Sequence, residues 1–272
     1  MAGAQVNNDK RSAFKRYQDI ASLSHRFGMQ ECEGWAMKRI QEMIWSDSSH
    51  IWMDLKTLFD TLSYATLVTD SSGDDHFERD VRNLIYNIIH ECVEDPSHNT
   101  EDVSMMLGIY QNPPPGFDPS VYGFIFTWVL SLGYTSAEWR KLTHGDRNIL
   151  YAAQANLTPL QASTIPFESL TKASKIVKSL DSGDQYQPVC FSMSEILRKS
   201  WDKCESWDEE RPLIGIRMLR TLPDRRREFA RATKDASCFC NEQCSQKLLA
   251  KIDENLKALF TELAGYPKWI SE

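Results

Sequence analysis

Two adjacent aspartates with a glutamate one helical turn further on, Asp74-Asp75-His76-Phe77-Glu78, form the group in this chain best suited to chemistry. Carboxylates at that spacing can share one side of a helix start and grip Mg²⁺ bridged to a diphosphate. Cys238, Cys240 and Cys244 form the second group: three thiolates within seven residues suit Zn²⁺ once a fourth ligand such as Cys204 or His144 joins them. A plainer reading stands beside each. The aspartates also fit an acidic cap, because carboxylates at a helix N-terminus meet unpaired N–H groups and the positive end of the dipole. Free cysteine is among the most buried residue types, so the thiols also read as packing groups ahead of an amphipathic helix.

The acidic cluster resembles the Asp-rich motif of all-α terpene synthases, but that fold's second Asn/Ser/Glu metal motif has no counterpart downstream. His76-Phe77-Glu78 is similar to the His-x-Glu of zinc deaminases, without the Pro-Cys-x-x-Cys that completes their site. His90-Glu91-Cys92-Val93-Glu94 puts Glu94 where a zinc-protease helix needs its second His. A nucleophile elbow, a phosphate-binding P-loop and a dinucleotide glycine fingerprint are all missing. Arg225-Arg226-Arg227, with Arg217, Arg220, Arg231 and Lys234, is the one dense basic stretch, and its expected partners are the chain's own acids, such as Asp208-Glu209-Glu210. His25, His50, His98 and His144 are isolated in sequence and read as surface or hydrogen-bonded structural groups. No catalytic residue and no bound cofactor is assigned.

The elements that must position these groups read as helices. Phe14, Tyr17, Ile20, Ala21 and Leu23 recur at three- and four-residue intervals, predicting one inward stripe of a helix that Gly28 stops. Cys32, Trp35, Ala36, Ile40, Met43 and Ile44 repeat the pattern, so 12–46 reads as a helical hairpin. Further helices are expected over roughly 51–68 and 77–92, with Asp70 to Asp75 as a polar loop between them. Asn112 to Pro119 (NPPPGFDP) cannot continue a helix, because proline lacks an N–H and restricts its predecessor. It reads as a linker (112–119) between an N-terminal half, 1–111, and a C-terminal half, 120–272. In the second half Val121 to Tyr134 reads as a buried helix, short of the ~20 residues a membrane span needs. Thr135-Ser-Ala-Glu138 and Ser192-Met-Ser-Glu195 fit capping boxes, and Thr158-Pro159 puts proline at a first helical position. The chain closes on an amphipathic helix at 241–264, with Leu248, Leu249, Ile252, Leu256, Leu259, Phe260 and Leu263 on one face and Gly265 and Pro267 behind them. Strand-like alternation is nearly absent, so the expected fold is all-α, an irregular array of packed helix hairpins in two helical halves.

Composition narrows the class. With 42% hydrophobic and 11% aromatic residues the chain can bury a large core. A net charge of −7 disfavours wholesale binding to nucleic acid or to anionic membranes. Seven cysteines, an odd number, fit a reducing compartment, cytoplasm or nucleus. The N-terminal residues have no apolar stretch of the secretory kind, and Ala2 excludes the myristoylation pattern.

Tyr17-Gln-Asp-Ile-Ala-Ser-Leu-Ser-His-Arg-Phe-Gly-Met29, followed by Ala36 and Ile40, resembles the helix pair that follows the BTB/POZ fold in fungal BTB-domain proteins. The Cys238 to Cys244 segment ahead of the Leu248 to Leu263 helix is similar to the short Cys-containing knot before the terminal helix of those proteins. The BTB core is not part of this sequence, so the resemblance implies neither the dimerisation nor the cullin-ligase recruitment that reside mainly in that fold. The resemblance implies a helical scaffold that binds a protein partner. The expected function is therefore a non-enzymatic, adaptor-like interaction module. The alternatives are a small Mg²⁺-dependent enzyme of terpene synthase type built on Asp74, Asp75 and Glu78, and a zinc module built on the cysteines.

Overall fold

The computed structural model describes residues 2–45, 53–94, 100–157, 170, 173–174, 176–177, 191–202, 214–235 and 242–267. The described residues form eleven helices and no strand, the all-α class expected from the sequence. They fall into two compact units, Met1–Ile89 and His90–Glu272.

The first unit contains α1 (Ala2–Phe27), α2 (Gln30–Ile44), α3 (Leu55–Ser72) and most of α4 (His76–Glu94). Helices α1 and α2 form a hairpin whose turn is made by Gly28 at φ 68°, a left-handed conformation open to glycine at no steric cost. Phe14, Gln18, Ala21 and Ser24 of α1 are buried, as are Ala36, Ile40 and Ile44 of α2. The inward stripe is thus narrower than the spacing predicted. Leu23 stands two and a half turns after Phe14, which places it on the opposite side of α1, and Ile20 lies beside it; both are exposed. Cys32 and Trp35 of α2 likewise face outward.

Three side chains tie this hairpin to α3. The Glu33 carboxylate accepts a hydrogen bond from Tyr64 Oη at 2.8 Å, and His25 Nδ1 lies at the same distance from the same oxygen. Burial, and then the Glu33 carboxylate, push the Tyr64 phenol well above its ordinary value. Asp54 caps α3, accepting from the Thr57 N–H at 2.9 Å and the Thr57 hydroxyl at 2.8 Å, and it also pairs with Arg11 at 2.7 Å. Gly73, at φ 74°, ends α3, so Asp70 to Ser72 belong to the helix and the polar loop shrinks to three residues, 73–75.

The second unit is organised on α6 (Pro119–Leu132), which touches α5 (Thr100–Gln111), α7 (Ala137–Lys141), α8 (His144–Leu157), α10 (Ile214–Asp235) and α11 (Glu242–Leu263); α9 (Phe191–Trp201) packs on α10. Asp118 caps α6 through the Val121 N–H at 2.9 Å, with Pro119 in the first turn. From Ser120 to Ser131 only Tyr122 is not buried, as a helix apolar all round requires. Across it, α11 buries Leu248, Ile252, Leu256, Leu259, Phe260 and Leu263, the face read from the sequence except for Leu249, which is half-buried. The Phe124 and Phe260 rings meet edge to face at 4.8 Å.

The linker read at 112–119 lies within this unit: residues 112–118 connect α5 to α6, and Pro119 is the first residue of α6. Ser136 rather than Thr135 caps α7, accepting from the Trp139 N–H at 3.2 Å. Ser192 lies inside α9, where Glu195 bonds Arg198 instead of closing a capping box. Thr158-Pro159 lies outside the described residues.

A capping box not noticed in the sequence opens α8. Thr143 Oγ1 accepts from the Asp146 N–H at 3.1 Å, and Asp146 Oδ2 accepts from the Thr143 N–H at 3.0 Å. Gln111 Nε2 of α5 donates to the same carboxylate at 3.0 Å, so Asp146 also joins two helices. Burial pushes its carboxyl upward, but the hydrogen bonds from Gln111 and Thr143 outweigh that and hold it below the usual value. A depressed folded value means that the unfolded chain takes up the proton first. The contribution is present above about pH 4 and is lost as pH falls through the folded value. Between pH 5 and 3 the urea midpoint of the wild type should therefore fall further than that of Asp146→Asn.

Candidate functional site

The start of α4 carries the acidic cluster. Asp74 Oδ1 accepts from the His76 N–H at 3.0 Å, and the Asp75 carbonyl accepts the first helical hydrogen bond, from the Arg79 N–H at 2.9 Å. Ligand atoms of Asp74, Asp75 and His76, all exposed, lie within 4.8 Å of one another, so three donors can meet at one point. Arg79 stands against them: it bonds Asp75 Oδ1 at 3.3 Å and also reaches His76 Nδ1. A divalent ion here meets a guanidinium and the positive end of α4 as competitors.

Glu78 is not part of this group. Its side chain is turned inward, 5% exposed, and is ion-paired with Arg82, itself 5% exposed. The structure brings Asp74 and Asp75 together with His76, and it sends the third carboxylate of the sequence motif into the interior of the first unit. An acid followed four residues later by a base, on the face that also carries Phe77, Val81 and Ile85, is the sequence signal for that placement.

Of the cysteine group, Cys238 and Cys240 lie outside the described residues, as does Cys204; Cys244 is half-buried near the start of α11. His144 opens α8 and is exposed. His50 and His98 lie outside the described residues. Cys92, in the second unit, is buried, and its thiol is pushed up to about 12, first by burial and then by the charges of Asp102 and Glu91. A thiol held protonated in this way is a packing group, not a nucleophile.

The arginine stretch lies on α10 and is turned largely into the fold. Arg226 makes a two-bond fork with Asp253 of α11, both bonds at 2.8 Å, and Arg227 pairs with Asp224 and with Glu91. Arg225 is 1% exposed. The partners of Arg226 and Arg227 among the described residues are acids of the chain itself; Asp208 to Glu210 lie outside the described residues.

A shallow groove between α1 and α2 is lined by Asp9, Lys10, Tyr17, Arg39 and Glu42, in which Arg39 already pairs with Glu42 at 2.9 Å. More distinctive is the outer surface of the same hairpin. Ile20, Leu23 and Phe27 of α1, Met29 of the turn and Trp35 of α2 are large apolar side chains, 37–69% exposed. Sequence reasoning missed this surface because it assigned Ile20, Leu23 and Trp35 to the inward face. Among the described residues no helix is long and apolar enough to cross a membrane. No family model, curated protein or solved structure matches the chain.

Proposed function

We propose that this chain is a non-enzymatic helical interaction module of adaptor type, acting inside the cell on a protein partner. The observation that carries the reading is the outer surface of the α1–α2 hairpin, where Phe27 is 69% and Leu23 53% exposed. Clustered apolar side chains left in water mark a surface that another molecule covers. The resemblance of Tyr17 to Met29 to the helices that follow the BTB/POZ fold in fungal proteins supports the same reading. A photo-crosslinking residue placed at Trp35, in cells expressing the full chain, should give a discrete heavier adduct. The same residue at Lys56, exposed on α3, should not. Equal and diffuse labelling at both positions would reject the module.

The meeting of Asp74, Asp75 and His76 favours a second reading, Mg²⁺-dependent chemistry on a diphosphate. Its test is incubation of the purified protein with Mg²⁺ and prenyl diphosphates. Turnover that disappears in Asp75→Ala would establish this reading in place of the first. Absence of product removes it.

A further inference from the structure

Helix α1 has a second face that its own hairpin does not use. Ile20, Leu23 and Phe27 fall at i, i+3 and i+7, a single line along the helix, and are 37%, 53% and 69% exposed. This is the spacing by which one helix anchors against another apolar surface. The line is flanked by two cations, Arg16 and Arg26, and by one exposed acid, Asp19. Arg16 lies one turn before Ile20 and its side chain reaches Ser12 of the same helix, at 3.5 Å; among the described residues neither Arg16 nor the exposed Arg26 has an ion pair. In all, α1 carries five Lys and Arg against two Asp, in a chain whose net charge is −7. Of the five, Arg11 is neutralised by Asp54.

The geometry points to an acidic, amphipathic helix of a partner protein lying along α1, its apolar side over Ile20, Leu23 and Phe27 and its carboxylates against Arg16 and Arg26. This inference rests on the interaction-module reading and names the surface and the kind of partner. Charge complementarity selects the occupant, since it steers encounter and fixes register across an apolar strip. A second copy would instead bring one cationic helix against another. A lipid surface fits less well: the described residues of α1 expose only three large apolar side chains, and the opposite side of α1 is buried in the hairpin, whereas a membrane-surface helix needs a broad apolar face.

The test uses the full chain and two synthetic amphipathic helices as probes, one with leucine on one face and glutamate elsewhere, the other with lysine in place of glutamate. By fluorescence anisotropy the glutamate helix should bind at least about tenfold more tightly than the lysine helix. Leu23→Ser with Phe27→Ser should weaken it by about tenfold or more, since buried anchors dominate such contacts. Arg16→Glu with Arg26→Glu should reverse the preference. Both side chains in the serine variant are exposed, and an unchanged melting curve would confirm that it is folded.

Equal binding of the two helices, or binding that survives the serine substitutions, overturns the proposal. So does a concentration-dependent dimer lost in the serine variant, which would assign the strip to a second copy. Binding to phosphatidylserine vesicles lost in that variant would assign it to lipid, with the same consequence. Persistence of the Trp35 adduct in the serine variant would remove this surface and leave the interaction module standing. Disappearance of specific adducts from the wild type removes the module itself.

Discussion

Gly123→Ala should unfold the second unit or leave it too unstable to purify. A methyl group built on Gly123 would lie 1.7 Å from the backbone carbonyl oxygen of Phe260 and 3.1 Å from the Ala264 nitrogen. Those are main-chain atoms of α11 and of the turn that ends it, and they cannot rotate aside as a side-chain tip can. The whole of α11 would have to retreat from α6, separating the Phe124 and Phe260 rings and opening the face that buries Leu256 and Phe260. Overpacking a dense core usually costs about 1–3 kcal/mol, and a backbone-to-backbone clash between the two most closely packed helices of the unit belongs at or beyond the upper end. Gly34 and Gly108 supply the control. Each sits inside a helix with nothing within 4 Å of an added methyl. Replacing either by alanine removes only glycine's conformational cost and should stabilise by about 0.5–1 kcal/mol. Urea titration followed by amide hydrogen exchange in α6 and α11 separates the cases: protection lost in Gly123→Ala, retained or raised in the other two. Normal protection of α11 in Gly123→Ala would mean that the two backbones are not in contact.

The same contrast shows what the sequence could and could not reveal. Helix class follows from apolar periodicity, and the strongest cases were legible: the α11 face from Leu248 to Leu263, and α6 as a run apolar on every side. Position on a helix was less secure. Ile20 and Leu23 continue a three- and four-residue rhythm with Phe14, yet the narrow contact of a two-helix hairpin takes in only part of the arc that such a rhythm covers. Trp35 was misassigned for the same reason. Nothing in the local sequence around Gly123 tells it from Gly34 or Gly108, because its requirement comes from Phe260, more than a hundred residues away. The arginine stretch was legible as intramolecular in kind, but its partners Asp253 and Glu91 are set by packing. For the acidic cluster, spacing brought Asp74 and Asp75 to a helix start and could not show that Glu78 faces the other way. Ion pairs at i, i+4 can stand in water or in a core, and burial of Phe77 and Val81 on the same face decides between them.

Glu78→Ala should accordingly cost up to about 3–5 kcal/mol in the first unit, the range for breaking a buried ion pair from one side, because Arg82 would keep its charge at 5% exposure with one partner fewer. Asp74→Ala and Asp75→Ala act on exposed groups, and each should cost about 1 kcal/mol or less, the worth of a helix cap or of a surface pair with Arg79. The motif therefore separates into a structural part and a surface part by stability alone. A double replacement sharpens the separation. Glu78→Leu with Arg82→Met removes both charges at once and fills their space with apolar side chains, an exchange that in buried pairs is often neutral or stabilising. The double variant should be markedly more stable than Glu78→Ala or Arg82→Ala alone, so that the two sites fail additivity in the direction of rescue. If Glu78 instead served as a ligand at the protein surface, its removal would scarcely change the urea midpoint in the absence of metal, and the double variant would show no recovery to measure. Urea titrations of the wild type, the three single carboxylate variants, Arg82→Ala and the double variant, all in chelator, decide between an inward brace and an outward ligand without any assumption about which metal, if any, the aspartates hold.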